Sequence, residues 1–87
     1  MVTGYVIRKN EYHDSVFLMR VAKRLSEQKG ILQAAALMGT EKNKVLLEEI
    51  EVRDPEISEA TPSDLIIAVK AESQEALTSV FEDIDRW

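Results

Sequence analysis

The chain alternates between short apolar runs and amphipathic stretches, a pattern that predicts three strands, each followed by a helix. Residues 3–9 are rich in aromatic and β-branched side chains, and residues 64–71 contain the longest apolar run, 65–69. Residues 31–38 are harder to assign, because their alanines and leucines also favour a helix. The run is short and bounded by Gly30 and Gly39, which favours a buried strand.

The first predicted helix covers residues 15–28. Asp14 is its expected N-cap, since a carboxylate accepts hydrogen bonds from free backbone N–H groups at a helix start. Gly30 is the expected stop, because glycine readily takes the left-handed conformation found after helices. Apolar residues recur at helical spacing and predict the buried stripe, which consists of Leu18, Met19, Ala22 and Leu25.

Two further helices complete the pattern. Thr40 is expected to cap a short helix that ends near residue 50, with Leu46, Leu47 and Ile50 on one face. Ser73 is expected to cap the last helix, which runs to about residue 86. Its predicted core stripe consists of Leu77, Val80, Phe81 and Ile84.

Between the second helix and the third strand, residues 51–63 are polar and acidic, and they are interpreted as a solvated loop. The order of elements is then βαβαβα. This order predicts a small two-layer or three-layer α/β sandwich with a mostly parallel three-stranded sheet. A short extra strand at residues 50–52 would give a ferredoxin-like α+β arrangement instead, which ranks second.

Composition excludes several classes of function. With 87 residues the chain forms one domain, and its net charge of −5 opposes general binding to nucleic-acid phosphates. The longest apolar run is too short to cross a bilayer, so no membrane contact and a cytoplasmic location are expected by default. The chain has no cysteine, hence no disulfide and no thiolate for catalysis or metal binding.

One candidate ligand site follows from the predicted parallel strands, whose carboxyl ends would meet at one edge of the sheet. Two helix N-termini lie at this edge and could hold a small carboxylate or phosphate with their backbone N–H groups. The candidate ligand-binding residues are Asp14, Ser15, Gly39, Thr40, Asn43 and Lys44. The more common alternative is that these residues only cap helices and form turns.

Catalytic and metal-binding residues are not predicted. Ser15, His13 and Asp14 include the residue types of a hydrolase triad, but adjacent positions do not give the required spatial arrangement. A single histidine with scattered carboxylates has no metal-ligand spacing, and no cofactor is expected. Arg8, Lys9, Arg20, Lys23 and Arg24 are interpreted as a solvated face. Trp87 either covers the core or forms a docking edge.

Three groups of residues stand in order along the chain: Asp14-Ser15-Val16 with Leu18-Met19, then Met38-Gly39-Thr40 with Asn43-Lys44 and Leu46-Leu47, then Ala60-Thr61-Pro62 with Asp64. Together they resemble the N-terminal module of FdrA-type proteins, which are acyl-CoA synthetase-like and related to the α subunit of succinyl-CoA ligase. The resemblance covers about residues 5–71.

The resemblance implies a non-catalytic module of a CoA-ligase-like or carbamoyltransferase-related protein. Its expected role is assembly, through self-association or contact with a ligase-like partner. The chain lacks the glycine-rich nucleotide loop and the phosphohistidine segment of the longer ligases, so no activity is expected of it alone. The alternative hypothesis is a small regulatory domain that binds an anion at the helix N-termini.

Overall fold

The computed structural model describes residues 1–84, which form three strands and four helices. The strands are β1 (Val2–Arg8), β2 (Ile31–Met38) and β3 (Leu65–Ala71). The helices are α1 (Ser15–Ser26), α2 (Glu41–Glu49), α3 (Pro55–Glu59) and α4 (Gln74–Ile84). All six predicted elements are present within one or two residues of their predicted ends, apart from the last helix. Its predicted end, with Trp87, lies outside the described residues.

The sheet is antiparallel throughout, so the prediction of a mostly parallel sheet is wrong. The strand order is β1-β3-β2, and β3 runs antiparallel to both neighbours. β1 and β2 point the same way, as expected for strands joined by one helix, but β3 lies between them. This antiparallel sheet agrees with the ferredoxin-like alternative, although residues 50–52 form no strand.

The connection between β2 and β3 explains the direction of β3. One helix would carry the chain across the sheet and make β3 parallel to β2. Instead, residues 39–64 contain two helices and return to the edge where β2 ended, so that Met38 pairs with Leu65. The predicted solvated loop is therefore wrong: Asp54 caps α3, Pro55 is its first residue, and Ile57 is buried.

Helices cover both faces of the sheet. On one face α1 and α4 pack on the sheet around a cluster that includes Leu25, Val69 and Val80. On the other face α2 and α3 contribute Leu47 and Ile57 to a second cluster. β3 contributes to both clusters and is buried at every position except Lys70, which confirms the prediction that it is covered on both faces.

Capping predictions are confirmed at the start of α1, α2 and α4. Asp14 accepts a hydrogen bond from the Phe17 amide, and Ser73 accepts one from the Ala76 amide. Gly30 has the expected left-handed conformation, with a φ of 82°, but α1 already ends at Ser26 and its C-cap is Glu27. Two predicted core residues are wrong: the side chains of Met19 and Leu46 are 69% and 44% exposed.

Candidate functional site

The predicted site residues belong to two junctions, one between β1 and α1 and one between β2 and α2. Both junctions lie at the same end of the sheet, because β1 and β2 point the same way. Leu65, at the start of β3, pairs with Arg8 at the end of β1 and with Met38 at the end of β2. The junctions are thus separated by the width of β3. Their helix N-termini do not converge on one point between adjacent parallel strands, as the predicted fold required.

Hydrogen bonds to Asp64 connect these two junctions. Its carboxylate accepts hydrogen bonds from the Asn10 amide at 2.9 Å and the Thr61 amide at 3.0 Å, and its backbone carbonyl accepts one from the Gly39 amide at 2.9 Å. The Thr61 and Asn10 amides stabilise the charged form and lower the pKa of Asp64, against the opposing effect of its burial. Asp64 therefore stabilises the loops at this end of the sheet.

Three of the predicted site residues make local capping bonds. Asp14 binds the Phe17 amide at 2.9 Å, and the Thr40 hydroxyl accepts from the Asn43 amide at 3.2 Å. The Asn43 side-chain amide donates to the Met38 carbonyl at 2.9 Å, which joins α2 to the end of β2. These contacts match the capping alternative in the sequence.

The other three lie apart from one another. Lys44 donates to the Ser58 carbonyl at 2.9 Å and to a carboxylate oxygen of Glu41 at 3.2 Å, so it ties α2 to α3. Gly39 is buried against the backbone at Thr61. Ser15 lines a groove between α1 and β2. Anion binding by the six residues stays a prediction, and the Lys44 ammonium would have to exchange its partners.

The hydrogen-bond partner of the His13 imidazole is Glu11, and neither Ser15 nor Asp14 takes that place. The His13 Nε2 atom lies 3.0 Å from a carboxylate oxygen of Glu11, and the His13 ring stacks on Phe17 with the ring centres 3.9 Å apart. Asp14 is occupied as the cap of α1. The loop between β1 and α1 therefore holds one imidazole–carboxylate pair, which had no signal in the sequence beyond its short spacing.

Tyr5 is the second titratable group with a displaced pKa. Its ring lies on β1 against the cluster beneath α2 and α3. Burial, and next the hydrogen bond and charge of Asp54, raise its pKa to about 12. With its pKa raised in this way, the phenol does not act as an acid or base near neutral pH.

Sequence reasoning missed an apolar groove along the outer edge of β2, one of the two edge strands of the described sheet. Within the described residues no strand pairs with the outer side of β2. A groove runs between residues 34–37 of β2 and the adjacent side of α1, which presents Ser15, Leu18, Met19 and Ala22. No charged side chain lines it. The signal was present as the uncharged sequence of β2, which the prediction assigned entirely to the core.

α2 adds a second exposed apolar surface next to β2, on the opposite face of the sheet. Val45 and Leu46 are 60% and 44% exposed, whereas Leu47 is completely buried against the sheet. Lys44 and Glu48 line a cleft shared with α3. By helical geometry Leu46 then lies on the side of α2 away from α3. We call the groove, the edge of β2 and the exposed side of α2 the β2-edge surface.

Comparison with known proteins identifies a family. The family model described as "AllF, heavy metal-associated domain" matches residues 1–87. An uncharacterized protein of Escherichia coli (strain K12), YahF, is 38% identical over 73 residues, which are 84% of this chain and 14% of that protein. No solved structure matches. The chain thus spans about one seventh of the length of this curated relative.

The comparisons correct the resemblance drawn from the motifs. They give no support to an FdrA-type or CoA-ligase-like module; the model that covers the chain describes an AllF heavy-metal-associated domain. The expected role within an acyl-CoA synthetase-like or carbamoyltransferase-related protein is therefore wrong. The open-edged antiparallel sheet is the structural feature that fits the heavy-metal-associated fold.

The donor atoms do not fit a site for a soft metal. Thiolates and thioethers are the ligands that select such metals in proteins. The chain has no cysteine, and of its methionines Met38 is buried in the core whereas Met1 and Met19 are largely exposed. In residues 1–84, no group of three or more histidine, aspartate or glutamate side chains is arranged to hold a metal ion. The Glu11–His13 pair offers two donors, and Asp64 is engaged by backbone amides. We therefore derive no metal chemistry for this domain.

Within the described residues, no helix has the length and apolar character needed to cross a membrane.

Proposed function

We propose that this chain, which belongs to the AllF heavy-metal-associated domain family, is a protein-interaction domain that works without a bound soft metal. It would act within a longer protein, as the match to one seventh of its E. coli relative suggests. The observation that carries the proposal is the β2-edge surface, where an uncharged strand edge lies between two exposed apolar helix surfaces.

An open strand edge is a template for another chain, because its outer N–H and C=O groups have no partner in the sheet. Proteins commonly protect such edges with charged residues, proline or covering elements. β2 has none of these side chains: its eight residues include no charge and no proline. Its irregularity between Ile31 and Gln33 affects only one end. The rest of the strand is available for pairing.

Exposed apolar side chains beside the edge favour a protein partner over a small ligand. Met19 on α1 and Val45 on α2 are 69% and 60% exposed, and they lie on opposite faces of the sheet. A partner strand that pairs with β2 would bring its own side chains against both. Main-chain hydrogen bonds would then supply affinity, and the flanking apolar side chains would supply specificity.

The proposal predicts association in a chelating buffer. We expect amide NMR signals of β2, Met19 and Leu46 to shift or broaden across a dilution series, or on addition of the remaining part of a longer AllF-type protein. Met19→Glu should abolish these changes, because burying an unpaired carboxylate is costly. Ser79→Glu, at an exposed position of α4, is the matched control and should leave them intact.

A calorimetric titration with Zn²⁺ or Cu⁺ tests the other half of the proposal. We expect heats that do not saturate near one equivalent of metal, and the same heats for His13→Ala. Tight, saturable binding that is lost in His13→Ala would contradict metal independence. Unchanged NMR signals at every concentration and with every added chain would contradict the interaction role.

A further inference from the structure

The exposed side of α2 has a symmetric sequence pattern that the interaction role alone does not explain. Its four residues are Lys42, Val45, Leu46 and Glu49, which are spaced as one stripe on a helix. All four are exposed. A lysine lies at one end of the stripe, a glutamate lies at the other, and two apolar residues lie between them.

Neither charge is used within the domain. In residues 1–84, Lys42 and Glu49 make no ion pair, whereas the neighbouring Lys44 binds Glu41 and Ser58. The charges at the ends of the stripe are thus free to meet a partner. Glu49 is also at the carboxyl end of α2, where the helix dipole disfavours a negative charge. A cation beside Glu49 would relieve this cost.

An antiparallel second copy of the stripe is complementary to it. When two α2 helices lie side by side in opposite directions, Lys42 of each copy faces Glu49 of the other. Val45 of each copy then faces Leu46 of the other. Parallel alignment would instead place like charges together. The pattern therefore favours a second copy of α2 in the antiparallel orientation.

Antiparallel pairing of two β2 edges is compatible with the same twofold symmetry. A twofold axis normal to the sheet and close to Ala35 would pair the two β2 strands in antiparallel fashion. It would also place the two α2 helices on one face and the two α1 helices on the other, each pair antiparallel. Such an interface is isologous, so one surface serves both copies and closes the assembly at two chains.

From this pattern we infer that the partner at the β2-edge surface is a second copy of the same chain, docked through β2 and α2 about a twofold axis. The inference rests on the proposed interaction role. It adds a specific contact, the two reciprocal ion pairs between Lys42 and Glu49, which frame an apolar seam. Joining the sheets would also remove the open edge of β2 in both copies.

Charge reversal gives a direct test by sedimentation equilibrium of the full 87-residue chain. Lys42→Glu leaves acidic residues at both ends of the stripe, and Glu49→Lys leaves basic residues at both ends. We expect each variant alone to show a dissociation constant raised roughly tenfold, because two attractions become repulsions in the dimer. An equimolar mixture of the variants should form a heterodimer of about wild-type affinity.

The double variant Lys42→Glu/Glu49→Lys restores opposite charges and should dimerise like the wild type. Circular dichroism melting temperatures of the single variants that are no lower than that of the wild type at low protein concentration exclude unfolding as the cause. A monomeric wild type at all concentrations, or a mixture no tighter than the single variants, overturns the inference. If the chain is monomeric but its NMR signals still respond to the rest of an AllF-type protein, the interaction role survives and the second copy does not.

Discussion

Leu47→Ala is expected to lower the free energy of unfolding by about 2–5 kcal/mol, the usual cost of removing a fully buried leucine side chain. Leu47 has no exposed surface and packs in the cluster of Ile57, Ile66 and Ala68. It is the principal contact of α2 with the sheet. A loss of this size is a large fraction of the 5–15 kcal/mol that stabilises a typical domain.

The adjacent leucine is the matched control. Leu46 is also a leucine and lies on the same helix as Leu47, but it is 44% exposed. Leu46→Ala should therefore cost well under half as much stability and should weaken association instead. Urea unfolding at low protein concentration measures the stability of the monomer, and sedimentation measures association. A greater loss of stability from Leu46→Ala than from Leu47→Ala would contradict the orientation of α2.

Gly39→Ala is expected to destabilise the domain by about 1–3 kcal/mol, because a Cβ atom has no space there. That atom would lie 2.6 Å from the Thr61 carbonyl oxygen and 3.1 Å from the Ala60 side chain. The Gly39 amide also donates to the Asp64 carbonyl at 2.9 Å, so the glycine cannot easily move aside. The obstruction is backbone, which adapts less readily than a side chain.

Gly4→Ala provides the comparison for this prediction. A Cβ at Gly4 would lie 2.9 Å from a methyl group of Leu77 and 3.0 Å from the ring of Phe81, both ends of flexible side chains. The expected loss in urea unfolding is therefore smaller than for Gly39→Ala. Similar losses in the two variants would show that the approach of residues 60–61 to the end of β2 is less tight than described.

The elements could be predicted from sequence because their signals are local. Asp14, Thr40 and Ser73 each precede a helix and make the expected capping bond. Gly30 and Gly39 bound β2 as predicted. α3 also had a local signal, since Asp54 followed by Pro55 is the pattern of an N-cap and a first helical residue. The polar and acidic composition of residues 51–63 led instead to the interpretation of this segment as a solvated loop.

The direction of β3 could not be predicted, because it depends on how often the chain crosses the sheet. An apolar run such as 65–69 is typical of a parallel strand covered by helices. An antiparallel strand that is covered on both faces has the same kind of continuous apolar run. Once α3 is recognised, the two helices between β2 and β3 return the chain to its starting edge, and the antiparallel sheet follows.

The β2-edge surface was hidden for a similar reason. The spacing of Leu18, Ala22 and Leu25 defines the buried side of α1 correctly, and Met19 lies next to that stripe. An apolar side chain at such a position can cover the core or face solvent. The neighbouring strand decides between these outcomes. Because β2 is the last strand of the described sheet, Met19 borders an open edge.

Pulsed electron paramagnetic resonance in a chelating buffer tests most directly whether two metal-free chains meet at β2. The chain has no cysteine, so each introduced cysteine carries one spin label. Gln33 and Thr3 both pair with Lys70 and mark the same level of β2 and β1. With strands about 4.8 Å apart and about 3.4 Å per residue along each strand, the account predicts a separation of about 14 Å for Gln33→Cys and one roughly 13 Å longer for Thr3→Cys. The reverse order, or a signal that requires added metal, would contradict it.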